Sequence, residues 1–179
     1  MEEQSIIDNR SITERIKTFD DALAYLEYRA EELEDENAGN LTDDWEACIY
    51  DASNAAYLRL TIIAYALNEG RQPELTENEG LWHPCFVMWT ADQLSQMSEE
   101  EARARGILVG NAGNGAHICV SFSHSDCEWA TAGVSIGLRL AFRTQELADY
   151  AGSQFAAIYA SYIFGENELS TKPWREFEK

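Results

Sequence analysis

Basic residues are scarce in this sequence: 13 lysines and arginines stand against 32 aspartates and glutamates, for a net charge of −19. The imbalance is steepest at the start, where residues 1–51 hold 16 acids and 4 bases. A surface this negative repels phosphate backbones, so we expect no direct binding of nucleic acid. Two interpretations of the acidity stay open, namely solubility and an acidic face that meets a basic protein.

A long apolar segment is also missing. The longest apolar stretch, AAYLRLTIIAYAL at 55–67, is interrupted by Arg59 and is shorter than the roughly 20 residues of a membrane-spanning helix. Residues 1–10 lack the apolar centre of a secretion signal. We therefore expect no membrane association.

Cysteine and proline are rare, with four and three residues. The cysteines show no tandem spacing, which argues against a disulfide framework. Three prolines and 11 glycines are too few for a long disordered linker. The length of 179 residues suits one domain. We predict an α+β domain over residues 18–165, a polar N-terminal extension over 1–17 and a polar C-terminal tail over 166–179.

The first predicted helix begins with a capping box. Thr18 is placed to cap the amide of Asp21, and the Asp21 side chain is placed to answer it. From residue 19 to about 36, apolar residues repeat at helical spacing with acids opposite them. We expect the sequence NAGN at 37–40 to end this helix.

Two further helices are indicated by their caps and periodicity. The second has Thr42 as its N-cap, covers residues 43–67 and ends before Gly70 in a left-handed conformation. It is apolar on two sides in its later half, so we expect it at the centre of the fold. The last helix begins at Thr144 and closes at Gly165.

The segment between these helices predicts a sheet. Residues 81–89 are rich in aromatics and form a predicted strand, which Pro84 confines to a sheet edge or a strand start. One or two short helices follow over 90–105, with Ser98 and Glu101 as a second capping box.

A hairpin and a further strand complete the predicted sheet. Asn114-Gly115 is a strong two-residue hairpin pattern between strands at 107–109 and 116–122. Residues 134–142 alternate between apolar and other residues, as a half-buried strand does.

The predicted fold class is therefore α+β: two N-terminal helices, a short antiparallel sheet of three to four strands, and a C-terminal helix packed on one sheet face. The other sheet face is then exposed. Its predicted residues are His117, Cys119, Ser121, Ser123, Ser135, Arg139 and Arg143.

Histidines and cysteines lie close together in the sequence and raise a metal hypothesis. Residues two apart on a strand share a face, so neighbouring strands offer a tetrahedral zinc site. The candidate ligands are His83, Cys85, His117 and Cys119, with His124 and Cys127 as a third pair. This spacing matches no zinc signature, and free cysteine is commonly buried. We expect no metal or other cofactor, and we expect Cys119 among apolar side chains.

No catalytic arrangement is recognisable. Residues 123–126, Ser-His-Ser-Asp, contain the residue types of a catalytic triad, but triads are assembled from distant elements. The glycine-rich stretch at 106–116 lacks the Lys-Ser/Thr of a phosphate-binding loop. We therefore expect a non-enzymatic protein.

Aromatic and basic residues outside the helices are candidates for contacts with other proteins. Four tryptophans stand in predicted loops, strand ends or the tail, where they either anchor contacts between chains or cap the ends of the core. Two arginines on the strand at 134–142 and just beyond it either bind an anion or an acidic partner, or lie on a solvated strand face. The candidate interaction residues are Trp82, Trp89, Trp129, Arg139, Arg143 and Trp174.

Several segments resemble one family. They are KTFDDAL at 17–23, AYLRLTIIAYALNEGRQP at 56–73, WHPCF at 82–86 and VSIGLRLAFRTQELADYAGSQFAAIYASYIF at 134–164. Together they are similar to a family of small uncharacterised proteins encoded by phages and prophages of Bacteroides-type gut bacteria, including crAss-like phages. The resemblance covers most of residues 17–164 and implies a phage origin. It implies no activity and assigns no functional residues.

Three functions follow as hypotheses. The first is a virion structural or assembly component that contacts other subunits of a phage particle, as an oligomer or hetero-assembly. Such a protein is made in the host cytoplasm and is carried in the virion. The alternative is an intracellular acidic inhibitor, a DNA mimic that binds a basic host protein. The second alternative is a zinc-binding domain or metal-dependent enzyme.

Overall fold

The computed structural model describes residues 10–48, 52–74, 80–111, 117–129 and 138–164. This part of the chain is a mixture of helices and one antiparallel sheet, as the α+β prediction requires. In chain order its elements are α1 (Ile12–Arg15), α2 (Phe19–Glu32), α3 (Glu36–Cys48), α4 (Ala52–Leu67), β1 (Gly80–Trp89), α5 (Ala91–Ser95), α6 (Glu99–Ala104), β2 (Leu108–Asn111), β3 (His117–Trp129), α7 (Gln145–Gln154) and α8 (Ala156–Phe164), with a short 3₁₀ turn at Leu138–Leu140.

Helix α2 begins at the predicted capping box. The Thr18 hydroxyl accepts the Asp21 amide at 3.1 Å, and Asp21 Oδ2 accepts the Thr18 amide at 2.8 Å. Both orphan amides are satisfied by side chains three residues apart, so the helix start is determined locally. This prediction is confirmed.

The boundary between the first two predicted helices is wrong. Residues 37–40 lie inside α3, and Thr42 lies mid-helix with its hydroxyl donating to the Ala38 carbonyl at 3.0 Å. The cap is instead Asp35, whose Oδ1 accepts the amides of Asn37 and Ala38 at 3.1 and 3.3 Å. A carboxylate at this end also suits the helix dipole, so the N-cap lies seven residues, about two turns, before Thr42.

Helix α4 is the central element. Every residue from Leu60 to Asn68 is at most 4% exposed. The predicted helix at 43–67 corresponds to the end of α3 and to α4, and residues 49–51 lie outside the described part. Gly70 ends this region with a φ of 77°, and its amide donates to the Tyr65 carbonyl at 2.9 Å, as a left-handed C-terminal residue does.

A polar cluster joins the first three long helices. Arg29 on α2 donates from Nη2 and Nε to Asp35 Oδ2 at 2.7 and 2.9 Å, and the Tyr65 hydroxyl of α4 donates to the same oxygen. Burial disfavours the charged form of Asp35, but hydrogen bonds from Tyr65 and Arg29 outweigh it and lower the Asp35 pKa. Burial and the bond to Asp35 raise the pKa of Tyr65 to about 12. Asp35 is thus held ionised between two donors.

The sheet has the order β1-β3-β2, and both pairings are antiparallel. β1 lies at an edge of this sheet, which confirms the position that Pro84 predicts. β2 and β3 are neighbours as the hairpin pattern predicts, while Asn114 and Gly115 themselves lie outside the described residues. A β-bulge interrupts the pairing of β1 with β3 between Cys85 and Phe86.

The predicted strand at 134–142 is not found in its described portion. Residues 130–137 are not described, and Leu138–Leu140 forms the 3₁₀ turn. Phe142 alone makes an isolated bridge to Trp82. Leu140, Ala141 and Phe142 are buried in succession, at most 4% exposed. A half-buried strand would expose Ala141, so tertiary packing on both sides of this segment overrides the alternation.

Helices pack on both faces of the sheet. On the first face, Phe86 of β1 packs against Phe122 of β3 and Tyr159 of α8.

The prediction of a single C-terminal helix is wrong. This region forms two helices, α7 and α8, which meet at Phe155. The cap is confirmed, since the Thr144 hydroxyl accepts the Leu147 amide at 3.3 Å.

The second sheet face is not wholly exposed, which corrects the prediction. α5 and α6 cover one end of it and bury Cys119 and Ser121 at 4% and 2% exposure. The pair of short helices was predicted. Ser98 caps α6 by accepting the Glu101 amide at 3.1 Å, but the predicted capping box is only half present, because Glu101 Oε1 accepts from Arg105 Nη2 at 2.9 Å. Of the other residues predicted on this face, Ser123, Arg139 and Arg143 are exposed, whereas the side chain of His117 and all of Ser135 lie outside the description.

The buried carboxamide of Asn68 links α4 to the segment that precedes α7. Its Nδ2 donates to the Ala141 carbonyl at 2.9 Å, and its Oδ1 accepts the Arg143 amide at 3.1 Å. We expect Asn68→Ala to lower the free energy of unfolding by about 2–4 kcal/mol, because two buried backbone groups lose their partner. Urea denaturation measures this change. Asn40→Ala, on the exposed side of α3, is the control and should change stability by less than about 0.5 kcal/mol.

Partly buried Tyr150 and buried Tyr159 make a second test. The Tyr150 hydroxyl donates to the Ile16 carbonyl at 2.7 Å, whereas the Tyr159 hydroxyl is buried with no hydrogen-bond partner among the described residues. Tyr150→Phe should therefore lower the free energy of unfolding by about 1 kcal/mol, whereas Tyr159→Phe should leave it unchanged or raise it. Thermal unfolding of both variants measures these changes. A larger loss of stability in Tyr159→Phe than in Tyr150→Phe would contradict the prediction.

Candidate functional site

The tryptophans that the structure describes contribute to the core. Trp82 packs at the margin of the main core, and its backbone bridges Phe142. The indole of Trp89 donates to Ser121 Oγ at 3.0 Å, and the Arg105 guanidinium lies 5.0 Å from its ring centre. These two side chains thus fit the alternative that they cap the core. The side chain of Trp129 and all of Trp174 lie outside the described residues.

The two candidate arginines stand on either side of the buried segment at 140–142. Both are exposed, and Arg139 follows the 3₁₀ path instead of a strand. Arg139 contributes to a shallow depression with room for about one water molecule, too small for an organic ligand. The other lining residues of this depression are Leu41, Thr61, Tyr65, Asn68, Arg71, Gln72 and Pro73.

Among the described candidate zinc ligands, Cys119 lies apart from Cys85. Cys119 pairs with Trp89, while Cys85 pairs with His124. Trp89 is four residue steps from Cys85, a distance of about 13 Å along β1. Cys119 lies among Leu94, Met97, Ala102 and Val109, as expected for a buried free cysteine, and burial raises its pKa. An uncharged, buried thiol of this kind is a poor metal ligand.

A different trio of ligand types does converge. Cys85, His124 and Asp126 each place a ligand atom within 4.8 Å of the others. Cys85 is partly buried on β1, and the other two are exposed on β3. Cys85 and His124 are among the candidate ligands predicted from the sequence. Asp126 is not, although the i, i+2 spacing of His124 and Asp126 is visible there.

The Ser-His-Ser-Asp segment does not form a catalytic relay. His124 Nδ1 lies 3.1 Å from Ser123 Oγ, but His124 Nε2 is 4.0 Å from Asp126 Oδ2, which is too long for a hydrogen bond. Ser125 is buried opposite Pro84, on the other face of the sheet from its neighbours. These four residues therefore do not form the serine–histidine–aspartate relay that acyl transfer requires.

An apolar surface lies on α8. The helix, AAIYASYIF, contains no charged residue, and its Tyr162 and Ile163 are 44% and 46% exposed. The Tyr162 ring lies 6.0 Å from the ring of Tyr57 on α4, so the surface extends across two helices. Helices that are apolar all round are normally buried. None of the described helices has the length and apolar character needed to cross a membrane.

The chain matches no known protein family, no curated protein and no solved structure. The surfaces of the described residues are therefore the basis for inferring a function.

Proposed function

We propose that this protein is a non-enzymatic structural or assembly component that acts through contacts with other protein subunits, and that these subunits belong to a phage particle. The exposed apolar surface of α8, formed by Tyr57, Tyr162 and Ile163, is the observation that supports contact with another protein. The phage setting is supported by the resemblance of residues 17–164 to the phage-encoded family.

The composition of the α8 surface favours a protein partner. Interface cores are depleted in charge and enriched in tyrosine and other aromatics, and α8 has no charged residue in a chain whose net charge is −19. Tyrosine brings a large contact area with few rotatable bonds, and residues of this type dominate binding energy in many interfaces. The partner surface would be apolar at its centre.

The acidity of the molecule favours a partner of opposite charge. Exposed acids line α2 and α3, among them Glu31, Asp43 and Glu46, and the net charge of the chain is −19. Complementary charge steers association, whereas like charge disfavours it. We therefore expect a basic partner, and we expect the association rate to fall as salt rises.

The test compares two double variants of equal chemistry. Tyr162→Ser with Ile163→Ser removes the α8 surface, while Tyr28→Ser with Leu33→Ser removes equally exposed apolar side chains from the end of α2. Sedimentation velocity of the purified protein and co-purification with phage particle proteins measure association. We expect the affinity of the α8 variant for its partner to fall by at least tenfold, because two such side chains contribute about 2 kcal/mol or more to the binding free energy.

The control variant should associate like the parent chain. Both variants must keep the parent's circular dichroism, so that misfolding is distinguished from lost contact. Two results would overturn the assignment of α8 as the contact surface. One is an α8 variant that associates as strongly as the parent, and the other is an equal loss of affinity in the α8 variant and the control variant.

A further inference from the structure

The register of β1 against β3 changes at the β-bulge, and the change determines which side chains share a face. Phe86 pairs with Phe122, but the preceding residue Cys85 pairs with His124, so Ser123 is the additional residue. In an unbroken register Cys85 would lie opposite Ser123. The bulge therefore turns His124 to the face of Cys85, and Asp126 follows two residues later.

We propose that Cys85, His124 and Asp126 form a binding site for a divalent zinc-type metal ion. The three ligand atoms lie within 4.8 Å of one another, and the His124 Nε2 to Asp126 Oδ2 distance is 4.0 Å. Around tetrahedral zinc, ligand atoms are about 3.3–3.6 Å apart. His124 and Asp126 are exposed, which leaves their side chains room to rotate toward this geometry.

The ligand chemistry selects the ion. A thiolate, an imidazole and a carboxylate are the ligand types of zinc, whereas calcium and magnesium take oxygen ligands. Three protein ligands leave one coordination position for water or for a group from a partner. Ser123 Oγ, 3.1 Å from His124 Nδ1, supplies the outer hydrogen bond that orients a metal-binding histidine with Nε2 toward the metal.

A neighbouring residue controls for the surroundings of the site. Cys127 also lies on β3, one residue after Asp126, and its side chain therefore points to the opposite sheet face. Cys127 carries the same thiol as Cys85, but that thiol cannot reach the site from the opposite face of the sheet. Cys127→Ser is thus the matched control for Cys85→Ser.

The experiment is a titration of the full chain, prepared free of metal under reducing conditions, with zinc against a chromophoric chelator. We expect one zinc per chain, with affinity at least about tenfold lower in Cys85→Ser, His124→Gln and Asp126→Asn and unchanged in Cys127→Ser. Cobalt substitution supplies a second readout: a thiolate charge-transfer band that is present in the parent chain and absent in Cys85→Ser.

Two results would overturn the proposal. One is a parent chain that binds zinc no better than Cys85→Ser; the other is an equal loss in Cys127→Ser, which would point to non-specific thiol binding. The site is independent of the α8 surface, so the zinc titration and the association experiment succeed or fail separately.

Discussion

The fold depends on one buried carboxamide. Asn68 stands at the end of the central helix α4 and bonds the carbonyl of Ala141 and the amide of Arg143. Between those two residues, Phe142 exchanges backbone hydrogen bonds with Trp82 of β1 at 2.7 and 3.0 Å. The segment at 141–143 therefore has α4 on one side and the sheet on the other, and Asn68 satisfies backbone groups that burial would otherwise leave unpaired. The helical half and the sheet half of the protein are joined here.

Tyr65, three residues before Asn68, makes a second polar contact of α4. Its hydroxyl meets Asp35, which also accepts Arg29 and caps α3, so one carboxylate serves α2, α3 and α4 together. Networks of this kind stabilise only when every member is paired, because an unpaired charge in a partly buried site is costly. Apolar burial around α4 supplies most of the stability, and these polar bonds select the arrangement of the helices around it.

Local patterns in the sequence predicted the features that involve neighbouring residues. The caps at Thr18, Ser98 and Thr144 were predictable because each hydroxyl meets an amide three residues away. The role of Asp35 as the cap of α3 was missed, because Thr42 offered an equally good local pattern and tertiary partners decided between them. The alternation at 134–142 failed for the same reason, since Asn68 and Trp82 determine the backbone path there.

The candidate metal site shows the same limit. The sequence placed His83 and Cys85 on one strand face, but it did not reveal which residues of β3 lie opposite them. That register depends on a single additional residue, Ser123, which exchanges one set of side chains on the face for another. β1 and β3 lie about 40 residues apart in the sequence, and a bulge interrupts their pairing. The periodicity of either strand alone therefore does not predict their register.

The proposal that this protein is a component of a phage particle is tested by quantitative mass spectrometry of purified particles. We expect this chain to be present in a fixed copy number relative to the major particle proteins after stringent washing. Its absence from the particles and from their assembly intermediates, with the chain abundant in the host cytoplasm, would contradict the proposal.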